Sequence, residues 1–131
     1  MTARNNAKVV KGSILSANFK SYGRQYQTGV NLVTIGRTGL SSTAIQNLDA
    51  STAVQFWHGL IPIDPLDSES ALLPLDPTGW DGTQTNQAIN TISNYGERVG
   101  PGQYLEPFVA PTNIIYSYVS SGTVNAHVKE G

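Results

Sequence analysis

Apolar residues in this chain come in runs of no more than about four, and glycine, proline, asparagine or serine closes about half of them. The chain must therefore build its core from many short segments. Val30, Leu32, Val33 and Ile35 in TGVNLVTIG form a β-branched run flanked by Gly29 and Gly36, the pattern of a short strand between turns. In STAVQFWHG, Val54, Phe56 and His58 alternate with Gln55 and Trp57, which predicts a strand with one aromatic on each face. Shorter candidate strands fall at 7–11 and 13–19, split at Gly12. Near the end, NIIYSYV, the connection SSG and then TVNAHV predict an antiparallel hairpin, with Gly122 free to take a positive φ.

Helical signal is confined to TQTNQAINTISNYG. Ala88, Ile89, Ile92 and Tyr95 fall at helical spacing there, Thr83 or Thr85 could cap the start, and Gly96 could close the end. Asn and Thr fill the remaining positions and are poor helix formers, so a strand or an irregular turn stays open. With 13 Gly, 7 Pro and at most one short helix in 131 residues, the expected fold is all-β. It is a small antiparallel sandwich or barrel with long Pro/Gly-rich loops and an extended N-terminal arm. A single domain, 1–131, is expected, with a basic arm at 1–12 and a Pro-rich extended segment at 60–82.

Charge is sparse and uneven. Only 13% of residues are charged, about half the usual share, and a weakly charged surface favours association. Residues 1–40 contain Arg4, Lys8, Lys11, Lys20, Arg24 and Arg37 and no acid, while residues 41–90 contain Asp49, Asp64, Asp67, Glu69, Asp76 and Asp81 and no base. The two blocks could neutralise each other within one fold, or the basic region could reach a neighbouring copy or another acidic partner. Six spaced cations without a tight cluster are not the footprint of a dedicated nucleic-acid binder. Cys is absent, which excludes disulfides, thiolate nucleophiles and Cys-ligated zinc. No run approaches the ~20 apolar residues of a membrane helix, and MTARNNAKVVKG lacks the apolar stretch of a secretion signal. A soluble protein made in the cytoplasm without a leader is the expectation.

The middle of the chain nearly repeats itself: LIPIDP at 60–65 and LLPLDP at 72–77. Residues preceding proline are driven out of the helical region, so Ile61, Asp64, Leu73 and Asp76 are predicted to be extended. Each copy is predicted to turn at its Asp-Pro, where an Asp side chain can accept nearby backbone N–H groups. The competing reading makes Asp64 and Asp76 a carboxylate pair or metal ligands. Neither DPLDSE nor DPTGWDG has EF-hand spacing, and a glycosidase pair needs a separation across a cleft that spacing along the chain cannot supply.

Other candidates are equally unspecific. His58 and His127 are the only histidines and have no named catalytic partner. No G-x-S-x-G elbow exists, and GRTGLSS at 36–42 lacks the lysine of a phosphate loop. Trp57, Trp80, Tyr22, Tyr26 and Tyr104 could form an aromatic platform for a sugar, or could pack in the core or at an interface.

The basic stretch MTARNNAKVVKG, the polar β runs TGVNLVTIG and NIIYSYVSSGTVNAHV, and the Pro-rich middle together resemble, in texture, small structural proteins of tailed-phage particles of the capsid cement or decoration type. The resemblance implies a β-rich subunit, often trimeric, that sits on the capsid surface of the virion and ties neighbouring capsid proteins together. The expected function is non-enzymatic bridging, without cofactor or metal, by a homo-oligomer that contacts the major capsid protein or other virion subunits. Arg4, Lys8, Lys11, Trp57, Asp64, Asp76 and Trp80 are the residues expected to meet a partner. The alternative is a carbohydrate-binding β-sandwich of a tail or fibre.

Overall fold

The computed structural model describes residues 20–34, 43–109 and 114–131. The expected arm with Arg4, Lys8 and Lys11, the candidate strands at 7–11 and 13–19, and GRTGLSS lie outside these residues. The described chain is mostly β, a sandwich of two four-stranded sheets with one α-helix. In chain order the elements are β1 (Lys20–Tyr26), β2 (Gly29–Thr34), β3 (Thr43–Asn47), β4 (Val54–His58), α1 (Gly82–Tyr95), β5 (Glu97–Val99), β6 (Tyr104–Val109), β7 (Ile115–Val119) and β8 (Val124–Glu130). Sheet A runs β1-β8-β3-β6 and sheet B runs β2-β7-β4-β5. Pairing is antiparallel except between β3 and β6, which meet in parallel at Thr43 and Phe108.

The strand expected at TGVNLVTIG is β2, and STAVQFWHG yields β4. Alternation along β4 sends Val54 and Phe56 into the core between the sheets and Trp57 to the opposite face. That core also takes Ile115 and Val119 from β7 and Val124, Ala126 and Val128 from β8, with Tyr26 set edge-on to Phe56 at 5.5 Å between ring centroids.

The expected hairpin of the last two strands does not form. Strand β7 pairs with β2 and β4 in sheet B, whereas β8 pairs with β1 and β3 in sheet A, so the link through Gly122 (φ 71°) crosses from one sheet to the other. The passage from β1 to β2, which ends at Gly29 (φ 91°), makes the same crossing. The two crossings lie side by side, tied by a hydrogen bond from the Thr28 hydroxyl to the Gly122 carbonyl. Connections that cross between the sheets make the corners here, and a positive-φ glycine serves a corner as well as a hairpin. Burial decides between the two. Ile115, Tyr116, Ser117 and Val119 are all buried, so β7 needs cover on both faces, while β8 alternates buried with exposed or half-buried residues and needs cover on one.

Sheet B receives its second cover from α1 and the Pro-rich segment. Ile61, Leu73, Ala88, Ile92 and Tyr116 form a second buried cluster, flanked by Val30, Leu32, Trp57, Trp80 and Tyr118. The helix begins at Asp81, not at Thr83 or Thr85. The Asp81 carboxylate accepts the Gln84 N–H at 2.8 Å and the Gln84 side chain accepts the Asp81 N–H at 2.9 Å, a reciprocal capping box. Ala88, Thr91 and Ile92 face inward, and Tyr95, at helical spacing from them, points out to solvent. The helix ends where the backbone turns extended at Gly96 (φ −71°, ψ 159°), and there is no room for a side chain there, a Cβ lying 2.6 Å from the Ile92 carbonyl and 3.1 Å from that of Phe56.

A buried asparagine fastens the edge of the sandwich. Asn47, at the end of β3, donates its amide to the carbonyls of Thr52 (2.9 Å) and Val99 (3.0 Å) and accepts the Asp49 N–H (2.8 Å). Its bond to Val99, on β5, ties sheet A to sheet B with the asparagine's polar atoms satisfied.

Candidate functional site

The near-repeat folds back on itself. Pro62 lies opposite Leu72, the Ile63 N–H donates to the Ala71 carbonyl and the Leu73 N–H to the Ile61 carbonyl, each at 2.8 Å. The two copies thus pair with each other, and the residues that precede the first proline of each, Ile61 and Leu73, are the ones that plug into the second cluster. Proline holds these residues extended, and an extended residue can aim its side chain at the sheet while its backbone pairs with the other copy.

Three aromatic side chains pin this hairpin. The Trp57 indole donates to the Leu60 carbonyl at 3.2 Å, the Trp80 indole to that of Pro74 at 2.8 Å, and the Tyr116 hydroxyl to that of Leu75 at 2.6 Å. Trp80 also packs on Tyr116, with ring centroids 6.0 Å apart. Burial, with the negative charge of Asp76 as a lesser cause, raises the Tyr116 pKa, so its hydroxyl stays a donor. Neither tryptophan ring stands free as a platform, since both are half-buried and their N–H groups are engaged within the fold.

Asp64 and Asp76 each serve their own turn. Asp64 accepts the Leu66 N–H at 3.0 Å, while its own N–H donates to the Ser70 hydroxyl at 2.8 Å. Asp76 caps the short 3-10 turn Pro77–Gly79, accepting the Thr78 N–H at 3.0 Å and its hydroxyl at 2.8 Å. Those bonds, the backbone one foremost, hold the Asp76 carboxyl below the usual aspartate range. Asp67 likewise accepts the Glu69 N–H at 2.9 Å. Among the described residues no three His, Asp or Glu side chains converge as metal ligands, and no helix is long and apolar enough to cross a membrane.

Sequence reasoning missed what this segment displays. Seven large apolar side chains are exposed among the described residues, and four of them, Ile63, Leu66, Leu72 and Leu75, lie on this hairpin among Asp64, Asp67, Glu69 and Asp76. Alternation within the repeat signals only Leu72, which is out of phase with the buried Leu73; Ile63 and Leu75 stand in phase with the buried Ile61 and Leu73 and are exposed all the same, and Leu66 lies outside both copies.

Two further places concentrate polar groups. Trp57, His58, Tyr95 and Glu97 line a shallow depression at the β4–β5 edge, with His58 Nε2 3.9 Å from Glu97 Oε1. That nitrogen has no hydrogen-bond partner, so no hydroxyl is poised on it as a nucleophile would be. At one end of the sandwich Tyr22 donates to the buried Glu130 at 3.0 Å, beside the unpartnered hydroxyls of Tyr26 and Thr43. They border a cavity of ≈ 20 Å³, room for a single water. Burial raises the pKa of both tyrosines, so both stay protonated. His127 sits on the outer face of sheet A, paired with Gly23 and Gln46.

Fold and site together define a β-sandwich with one sheet covered by a helix and an acidic, leucine-bearing hairpin. Compared with known proteins, the chain matches no family model, no curated protein and no solved structure.

Proposed function

We propose that the protein is a non-enzymatic structural component of a virus particle, of the capsid cement or decoration type, and that it bridges neighbouring subunits. The observation that carries this reading is the hairpin at 60–76. It gathers most of the exposed large apolar side chains of the described surface and is held rigidly by three aromatic hydrogen bonds. An exposed apolar patch rimmed by charge is the composition of a protein-binding surface, and a pre-ordered one loses little entropy on binding. A partner that binds only the assembled shell stabilises the shell.

Co-sedimentation with tailed-phage shells tests the proposal. The protein should pellet with assembled shells and not with free capsid subunits, and removal of residues 1–12 should weaken pelleting while leaving the melting temperature of the sandwich unchanged. Full-length protein that stays in the supernatant across a panel of shells sinks this reading. The second reading, glycan binding, draws on the depression at Trp57, His58, Tyr95 and Glu97, where the exposed Tyr95 stands beside hydrogen-bonding groups. It requires glycan-array signal that Tyr95→Ala removes, and a blank array counts against it.

A further inference from the structure

The described bases and the hairpin acids occupy different parts of the molecule. Lys20, Arg24 and Lys129 lie on β1 and β8 of sheet A, and Arg98 on β5. From 60 to 81 the chain has five acids, Asp64, Asp67, Glu69, Asp76 and Asp81, and no base. Among the described residues none of the five forms an ion pair, and the hydrogen bonds of Asp64, Asp67, Asp76 and Asp81 all stay within the segment or at the start of α1. Between these charges stand Ile63, Leu66, Leu72 and Leu75, exposed by 42%, 77%, 53% and 40%. A complementary surface must offer spaced cations together with small apolar groups. Residues 1–12, MTARNNAKVVKG, carry Arg4, Lys8 and Lys11 with Val9 and Val10 between the lysines, and contain no acid. That segment precedes β1, an edge strand of sheet A, whereas the hairpin covers the outer face of sheet B.

We infer that the acidic, leucine-bearing hairpin of one copy is the docking site for the basic segment 1–12 of a second copy. The contact joins two different surfaces, so it propagates head to tail and closes into a ring when the rotation between copies permits. Lysines over the carboxylates set register and speed encounter, and burial of Leu66 and Leu72 against the valines supplies affinity. The inference rests on reading the hairpin as an interaction surface, but it needs no virus particle.

Charge reversal on the full chain tests it. Leu66 and Glu69 suit the purpose, because Leu66 is 77% exposed and the Glu69 carboxylate makes no hydrogen bond among the described residues, and unchanged thermal melts verify that each variant folds. Sedimentation velocity at micromolar concentration should show an oligomer that dissociates as salt rises to about 0.5 M, where screening shortens the reach of charge to roughly 4 Å. The pair Leu66→Ser with Glu69→Lys, and separately Lys8→Glu with Lys11→Glu, should each weaken association at least about tenfold in Kd. A mixture of the two variants should associate again, because each then offers the surface that the other lacks. Carbodiimide coupling in a mixture of light and heavy-isotope protein should join Lys8 or Lys11 to Asp67 or Glu69 of a different chain. The inference fails if the wild-type chain is monomeric, if either variant keeps the wild-type mass, if the mixture does not associate, or if coupling occurs only within single chains. Protein that associates this way yet ignores phage shells keeps this inference and loses the decoration reading, and a monomer that pellets with shells does the opposite.

Discussion

Sheet A turns Gln46, Asn125, His127 and Lys129 outward, all exposed or half-buried, whereas sheet B turns Val30, Leu32, Trp57, Tyr116 and Tyr118 toward a third layer of helix and hairpin. Both sheets share the core between them and have four strands each, so the difference lies wholly on the outer faces. A sheet with one polar face is complete as it stands. A sheet with two apolar faces must recruit a cover, and that cover then has an outer surface of its own. Here the cover carries three of the four exposed leucines and most of the acids, so the surface offered to a partner is one layer removed from the sandwich that holds it.

Removing the central residue of the covered face should have the largest effect. Tyr116 is fully buried, packs on Trp80 and donates to the Leu75 carbonyl. Tyr116→Ala should destabilise the protein by about 4 kcal/mol. His127→Ala on the outer face of sheet A should change stability by no more than about 0.5 kcal/mol. Chemical denaturation of both measures the contrast, and equal effects would mean that the third layer adds little. Tyr116→Phe separates the hydroxyl from the ring, and its expected loss of about 1 kcal/mol is the share of the bond to Leu75.

A smaller effect is expected where the cover is stitched to sheet B. Gly96 sits between the end of α1 and the Phe56 carbonyl of β4, with space for hydrogen and no more. Gly96→Ala forces helix and strand apart and should destabilise by about 2 kcal/mol. Hydrogen exchange should quicken in α1 before it does in β8. Uniform quickening would show that the layers unfold as one.

Much of this contrast was legible in the sequence, and the part that was not has a physical cause. The alternation in AVQFWHG gave β4 both its inward Phe56 and its outward Trp57, and the Asp-Pro turns follow from proline geometry together with an Asp side chain that accepts backbone N–H groups. The link through Gly122 was misread because a left-handed glycine looks the same in a hairpin and in a corner. The discriminating feature was the change from the nearly continuous apolar IIYSYV to the alternating VNAHV, since strands that bury different numbers of faces suit different sheets. Asn47 was invisible for another reason: an asparagine in NLDAST reads as a turn, and only the fold brings the Val99 carbonyl to its amide. The exposed leucines of the hairpin were hidden for a further reason: Leu75 is in phase with the buried Leu73 and Leu66 lies in neither copy, so alternation alone does not say which apolar residues stay uncovered.

The smallest expected effect is acid sensitivity, and it too divides the molecule. Asp49, in the connection between the sheets, accepts the Ser51 and Thr52 N–H groups, and Asp76, in the cover, accepts from Thr78. These bonds hold both carboxyls below the usual aspartate range in the folded protein. A depressed folded pKa stabilises the native state above the unfolded value, and that stabilisation is lost as pH falls through the folded value. The melting temperature should therefore be level in mildly acidic solution and fall once pH drops below the ordinary aspartate value. Asp76→Asn keeps an oxygen that accepts from Thr78 but cannot titrate, so it should flatten part of that fall and leave the Asp49 share. If the acid limb is unchanged in Asp76→Asn, the cover does not contribute to it, and the titrating groups that matter belong to the sandwich.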